Sequence, residues 1–230
     1  MITLYKFRSL GTTEDYRRVV RILDTGEFWC SKLWDLNDPM EGMYTSAAGL
    51  ISPAVVSQGF SDKNNRVICS FSATDAIALP TMWGYYANGF KGIAIAIEVD
   101  ESEVHMVTYS PDVAEWVNSA RATTPTEQLQ NILTTKLTPW SQEAEYRFIT
   151  ESDSAGWQQI GRVTGVHFGW PYADVTNLGD IRRVSKPLRD YIRRARELRR
   201  FAVHKSIPCL EASISGTTVV SVQLTNDVPT

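Results

Sequence analysis

The sequence predicts an α+β fold of short strands with helices inserted between them, and three observations predict it. Residues 4–8 alternate apolar and polar side chains, the period of a half-buried strand. Gly92–Val99 is apolar at nearly every position, which marks a strand covered on both faces. Helical patterns at 14–24 and 185–201 fall among strand signals without strict β-α-β alternation.

Each element has its local reason. Thr12 or Thr13 caps a helix over residues 14–24, whose apolar face is Val19, Val20, Ile22 and Leu23, and Gly26 ends it. Residues 28–31 form a strand. An irregular turn follows at Leu36-Asn37-Asp38-Pro39, because Asn and Asp bond nearby backbone and proline fixes φ. The region 49–59 gives no clear signal. Residues 66–72 read as a strand, 79–88 as a short helix closed by Gly89, and 104–109 as a further strand. Residues 112–133 read as a helix broken near 123–125, and 160–168 as a strand entering a Gly-Trp-Pro turn. Ser185 caps a basic helix with Pro187 in its first turn. Residues 202–207, 210–214 and 217–224 read as closing strands. The chain is long enough for one domain over 1–230, with a possible C-terminal subdomain of basic helix and strands at 180–230.

Composition narrows the class. Apolar residues make up 43% and charged residues 21% of the 230, ordinary values for a folded protein. Seven Trp, nine Tyr and eight Phe supply a core and leave aromatic rings for a cleft. No stretch reaches the roughly 18 apolar residues of a membrane span, and the start lacks a signal peptide's apolar core. These features predict a cytoplasmic protein with no membrane partner. Cys30, Cys69 and Cys209 are widely spaced and no Cys-x-x-Cys occurs, so a zinc site is not expected. His105, His167 and His204 lie apart, and no metal-ligand spacing is present.

The densest chemistry lies in Trp140-Ser-Gln-Glu143-Ala-Glu145-Tyr146-Arg147. On a strand, Glu143 and Glu145 share a face. Two like charges so placed cost free energy unless a cation lies between them. One reading is a pair that stabilises an oxocarbenium-like sugar; the other is an exposed edge strand on which Arg147 neutralises Glu145. Ser70-Phe71-Ser72 puts two hydroxyls on one strand face, able to orient a carboxylate and contact a ribose, or simply to face solvent. Arg8 offers a fork suited to phosphate. Asn37, Asp38 and Glu41 are candidates for the same cleft, or a capped turn. Trp83, Tyr85 and Tyr86 are candidates to stack on a flat ring, or to pack a helix.

The order Arg8, Ser70-x-Ser72, Glu143-x-Glu145 resembles the arginine–serine–glutamate signature of the ADP-ribosyltransferase superfamily. The resemblance implies a split, mixed or antiparallel sheet with inserted helices, and NAD as the consumed substrate. It implies that Arg8 holds the NAD pyrophosphate, that Ser70 supports the nicotinamide ribose and the catalytic carboxylate, that Glu145 stabilises the ribosyl cation, and that Glu143 handles the acceptor. Two departures stand out: Glu143 comes 71 positions after Ser72, and Phe71 stands where Thr is usual. A second set covers residues 4 to about 170: Leu4-Tyr-Lys-Phe-Arg8, Phe28-Trp-Cys-Ser31, Leu36-Asn-Asp-Pro-Met-Glu41, Ile68-Cys-Ser-Phe-Ser72, Met82-Trp-Gly-Tyr-Tyr86, Lys91-Gly92, Trp140 to Arg147 and Val166-His-Phe-Gly169. In that order it looks like the bacterial family called domain of unknown function 2971, whose name assigns it no function.

Charge is uneven. The net is −3, yet residues 182–205 carry ten Lys or Arg and two acids. Arg189, Arg193, Arg196 and Arg200 recur at helical spacing, so one face is a ladder of guanidinium groups. Nucleic-acid phosphates or the protein's own acids can compensate it. Two functions are therefore expected as alternatives. One is an ADP-ribosyltransferase or NAD glycohydrolase, in a toxin or phage-defence setting, with a nucleic-acid, protein or water acceptor. The other is a non-catalytic nucleic-acid or nucleotide-binding module that uses helix 185–201.

Overall fold

In chain order the strands are β1 (Ile2–Ser9), β2 (Glu27–Cys30), β3 (Tyr44–Ser46), β4 (Arg66–Ser72), β5 (Gly92–Val99), β6 (His105–Met106), β7 (Thr108–Ser110), β8 (Ala114–Trp116), β9 (Thr135–Leu137), β10 (Glu145–Glu151), β11 (Gly156–Gln159), β12 (Arg162–Gly169), β13 (Cys209–Ser215) and β14 (Thr218–Gln223). The helices are α1 (Thr13–Thr25), α2 (Pro80–Tyr86), α3 (Pro125–Leu133) and α4 (Lys186–His204), with short 3-10 turns between elements. This is a computed structural model that describes residues 1–38, 40–46, 59, 61–116, 125–170 and 185–224. The fold is α+β with a mixed sheet. The chain forms two interleaved units: Met1–Glu27, Phe71–Asp100 and Gln159–Thr230 make the first; Phe28–Ser70 and Glu101–Gln158 make the second.

In the first unit β5 is central. It runs antiparallel to β1 from Ile2↔Val99 to Ser9↔Gly92, and antiparallel to β12 on its other edge. β12 lies parallel to β13, and β13 and β14 form an antiparallel hairpin. The order is β14-β13-β12-β5-β1, and Tyr5 of β1 then faces Ser72 at the end of β4. The all-apolar pattern of β5 is explained by this position: Ile93, Ala94, Ile95 and Ile97 are fully buried. One core cluster joins Tyr5, Phe7, Met82, Trp83, Phe90, Ala94 and Ala96 with Ala212 and Val219. Phe7 meets Trp83 edge-on at 5.4 Å, and Trp83 stacks on Phe90 at 5.3 Å.

Helix α1 follows its sequence signals closely, whereas Ser185 stands at the start of α4 without a side-chain capping bond. Thr12 caps α1: Asp15 N–H donates to Thr12 Oγ1 (3.0 Å) and Thr12 N–H to Asp15 Oδ2 (3.1 Å), a complete capping box. Gly26 closes α1 at φ 74. α4 buries Leu188, Tyr191, Ile192, Leu198 and Ala202. The Tyr191 hydroxyl donates to Gly169 O, with Gly92 O also within 3.3 Å, which ties the helix to β12 and β5.

In the second unit β10 lies between β4 and β6. β3 pairs parallel with β8, and β7 parallel with β9. Ile68 of β4 packs with Leu129 and Leu133 of α3, flanked by Leu33, Leu36 and Ile149. Trp29 and Trp157 meet edge-on at 5.7 Å.

Three sequence expectations are corrected. Residues 114–116 form β8 rather than helix, because they find a parallel partner in β3, far away in sequence; residues 117–124 lie outside the described set. Residues 202–207 continue α4 and then turn, with Ala202 one helical turn beyond the buried Leu198 and Lys205 N–H bonded to Phe201 O (3.0 Å). Glu143 ends a 3-10 turn, Thr138–Glu143, and is not on the strand that Glu145 begins. Pro171 of the Gly-Trp-Pro turn, Pro39, and almost all of 49–59 lie outside the described residues.

Candidate functional site

The chemistry of the second unit collects around the start of β10. Ala144 takes φ 42, a left-handed kink between Glu143 and Glu145 that replaces the expected strand alternation. Even so, both carboxylates arrive at one point. Lys136 Nζ, from the middle of β9, lies 2.6 Å from Glu143 Oε2 and 3.1 Å from Glu145 Oε2. The cation that the paired charges demand is the protein's own. The Trp140 ring sits 5.0 Å from that ammonium and adds a cation–π contact.

Arg147 completes the cluster. On a strand it shares the face of Glu145 two residues earlier. Its Nε donates to Glu145 Oε1 (2.8 Å), Nη2 to Glu145 Oε2 (3.2 Å) and to Glu41 Oε1 (2.7 Å), and Nη1 to Leu133 O (2.6 Å). Arg147 is 0% and Glu145 3% exposed, so a planar fork with four acceptor contacts is what makes its burial tolerable. The reading of β10 as an exposed edge strand fails, since it has neighbours on both sides and its ion pair is buried.

The surroundings set the protonation states. Burial alone would raise the Glu145 carboxyl, but Arg147's charge and hydrogen bonds, then Lys136, then the Ser70 hydroxyl, bring it down to about 2. Glu41 behaves oppositely: burial, helped by the charge on Glu145, outweighs Arg147 and Lys136, and its carboxyl is raised. Burial would lower Lys136, and the three carboxylates raise it instead. Tyr109 accepts the Glu145 N–H at its hydroxyl (2.9 Å) and is pushed up to about 12, mainly by burial.

Of the expected site residues, Glu41, Ser70, Glu143 and Glu145 come together. Asp38 instead fixes a turn, its Oδ1 accepting Met40 N–H (2.9 Å), and Asn37 is exposed. In the first unit, Arg8 is half-buried on β1 opposite Ile93, and Ser72 is buried opposite Tyr5. Trp83 is not a ligand surface: it is fully buried, donates Nε1–H to Ile77 O (2.8 Å) and packs between Phe7 and Phe90. Tyr86 is half-buried against the same cluster, and Tyr85 is 69% exposed. On α4, Arg193, Arg196 and Arg200 are exposed and Arg189 is half-buried. Arg193 lies 3.7 Å from Asp190, while Arg194, off that stripe, bonds Leu10 O and Gly11 O at 2.9 Å each.

Sequence reasoning missed Lys136 and Tyr109, which no local pattern marks; their role depends on β7 and β9 pairing in parallel. Arg147 was visible through its i+2 spacing from Glu145. Among the described residues no group of three or more His, Cys, Asp or Glu is arranged to hold a metal ion, and no helix is long and apolar enough to cross a membrane.

Comparison of the chain with protein-family models, with curated proteins and with solved structures finds no match to any of them.

Proposed function

We propose that this protein is an NAD-consuming enzyme of the ADP-ribosyltransferase kind, with Glu145 as the group that stabilises the ribosyl cation when nicotinamide leaves. The observation that carries the reading is the Ser70–Glu145 hydrogen bond, made between neighbouring strands β4 and β10 and helping hold the carboxylate ionised. A carboxylate that is ionised at neutral pH and oriented by a serine is what an oxocarbenium-like centre requires. Glu143, beside it on Lys136, takes the acceptor role in this reading, and Arg8 the pyrophosphate; both roles come from sequence order alone.

The geometry also sets a condition. Glu145 is already neutralised, so a ribosyl cation has to take over the place held by Lys136 Nζ or an Arg147 N–H. The test is nicotinamide release from NAD, with and without RNA, DNA or protein acceptors. Glu145→Gln preserves shape and removes charge; turnover falls by about 10²-fold or more, with an unchanged circular-dichroism spectrum. Near-normal release by a folded Glu145→Gln protein ends the assignment. Arg8→Ala weakens NAD binding, measured by calorimetry; an unchanged affinity takes Arg8 out of the proposal.

A second reading rests on a different observation, the exposure of Arg193, Arg196 and Arg200 on one helix. It makes the protein a nucleic-acid or nucleotide-binding module in which the glutamate cluster is structural. It is favoured if nucleic-acid affinity survives Glu145→Gln and is lost in the Arg193→Glu/Arg196→Glu double variant.

A further inference from the structure

The cluster of the second unit has three carboxyl groups, Glu41, Glu143 and Glu145, and two cations, Lys136 and Arg147. All five side chains are at most 7% exposed. Fully ionised, these five side chains carry a net charge of −1 away from water, which is costly. The carboxyl oxygens are unequally supported. Glu145 accepts hydrogen bonds at both oxygens, from Arg147 and Lys136, and Glu143 Oε2 accepts one from Lys136. Glu41 Oε1 accepts from Arg147 Nη2, whereas Glu41 Oε2 lies 2.7 Å from the same nitrogen but off its N–H direction, and is buried without a hydrogen bond.

We infer that Glu41 is the proton-accepting member of this cluster, taking up the one proton that balances three carboxyls against two cations, and that its contact with Arg147 is a pH-sensitive latch on the turn at residues 40–43. A neutral carboxyl tolerates an unbonded buried oxygen far better than a charged one. Among the described residues, the charged groups that act on Glu41 are Arg147 and Glu145 on β10 and Lys136 on β9; Lys63 holds the turn itself at Gly42 O, and Tyr109 on β7 stands behind Glu145. The cations favour the charged form, and burial and the neighbouring carboxylate oppose it. The raised carboxyl of Glu41 agrees with the second pair winning.

The turn is short, and Glu41 is its link to Arg147. Glu41 N–H bonds Asp38 O and Met43 N–H bonds Met40 O, each at 3.1 Å, and Lys63 Nζ holds Gly42 O at 3.0 Å. By linkage, docking is most favourable while Glu41 keeps its proton. That contribution is full below the ordinary glutamate value of 4.5 and is lost as pH rises through the raised one.

Carboxyl-labelled glutamate and methyl-labelled methionine allow the test by NMR on the native chain. The Glu41 carboxyl is expected to titrate above 4.5, with the Met43 methyl shifting at the same midpoint. In Glu41→Gln the Met43 shift disappears. Across the same window the folding equilibrium constant of the native protein falls by up to about tenfold per pH unit relative to Glu41→Gln. A Glu41 midpoint at or below the ordinary value, or a Met43 methyl indifferent to it, overturns the inference. The native-chain titration decides the matter even where Glu41→Gln fails to fold. The outcome is independent of NAD cleavage.

Discussion

Arg147 is the side chain on which most of the second unit's polar interior depends. It is fully buried and serves two carboxylates and the Leu133 carbonyl at once. Arg147→Met removes the fork, leaves Glu41 and Glu145 facing Lys136 alone and strips Leu133 O of its donor. Breaking a buried pair from one side costs about 3–5 kcal/mol, and urea unfolding of the variant is expected to show a loss of that order. Arg147→Lys keeps the charge but not the planar geometry, so it recovers only part of the loss. Glu145 makes the acid side of the same argument. Its carboxyl sits at about 2, below the ordinary 4.5, so its stabilising contribution is present above 4.5 and drains away as pH falls toward 2. Acid unfolding of Glu145→Gln is therefore flatter in that window than that of the native protein. Equal acid profiles would mean that Arg147 and Lys136 do not hold the charge.

At the level of elements, glycines that look like motif residues turn out to be packing requirements. A Cβ on Gly92 would stand 2.3 Å from Arg8 O and 2.8 Å from Ala87 O, both backbone atoms that cannot swing aside. Gly92→Ala is thus expected to destabilise the protein by about 1–3 kcal/mol through overpacking, read as a lower thermal midpoint. A neutral substitution would show that β1 can shift away from β5. The helix α1 gives the matching case at a terminus: Thr12→Ala removes the hydroxyl that accepts the Asp15 N–H, one of the two bonds of the capping box, and costs about 1 kcal/mol. What was legible follows from such local causes. The caps of α1, the buried β5 and the amphipathic α4 are written in consecutive residues. The strand β8 and the cluster around Lys136 are not, because each exists only through parallel pairing with a segment remote in the chain. The Glu-x-Glu face was half legible: the shared charge environment was right, but the left-handed Ala144 placed Glu143 off the strand. Of the two readings open for Trp83, helix packing holds, and the sequence could not decide it because the ring's burial depends on Phe7 and Phe90, contributed by other elements.

For the whole molecule, charge distribution separates the two functional readings. Residues 182–205 hold a large positive excess within a chain of net charge −3. In the structure the off-stripe Arg194 is consumed by backbone carbonyls, while Arg193, Arg196 and Arg200 remain turned to solvent. Residues 182–184 lie outside the described set, so the argument rests on these three. If they bind nucleic-acid phosphates, each contact releases counterions, and the logarithm of affinity falls linearly with the logarithm of salt, by roughly 0.7–0.9 per phosphate neutralised. Three contacts give a slope of about −2 to −3, and the Arg193→Glu/Arg196→Glu double variant loses both affinity and most of that slope. Fluorescence anisotropy with a labelled single-stranded RNA and a DNA duplex, titrated at several salt concentrations, reads both quantities. Affinity that is absent at low salt, or that has no salt dependence, removes the arginine face as a nucleic-acid surface. Affinity that persists with the expected slope while nicotinamide release responds to Glu145→Gln would instead join the two readings, making the nucleic acid the acceptor and α4 the element that brings it to the enzyme.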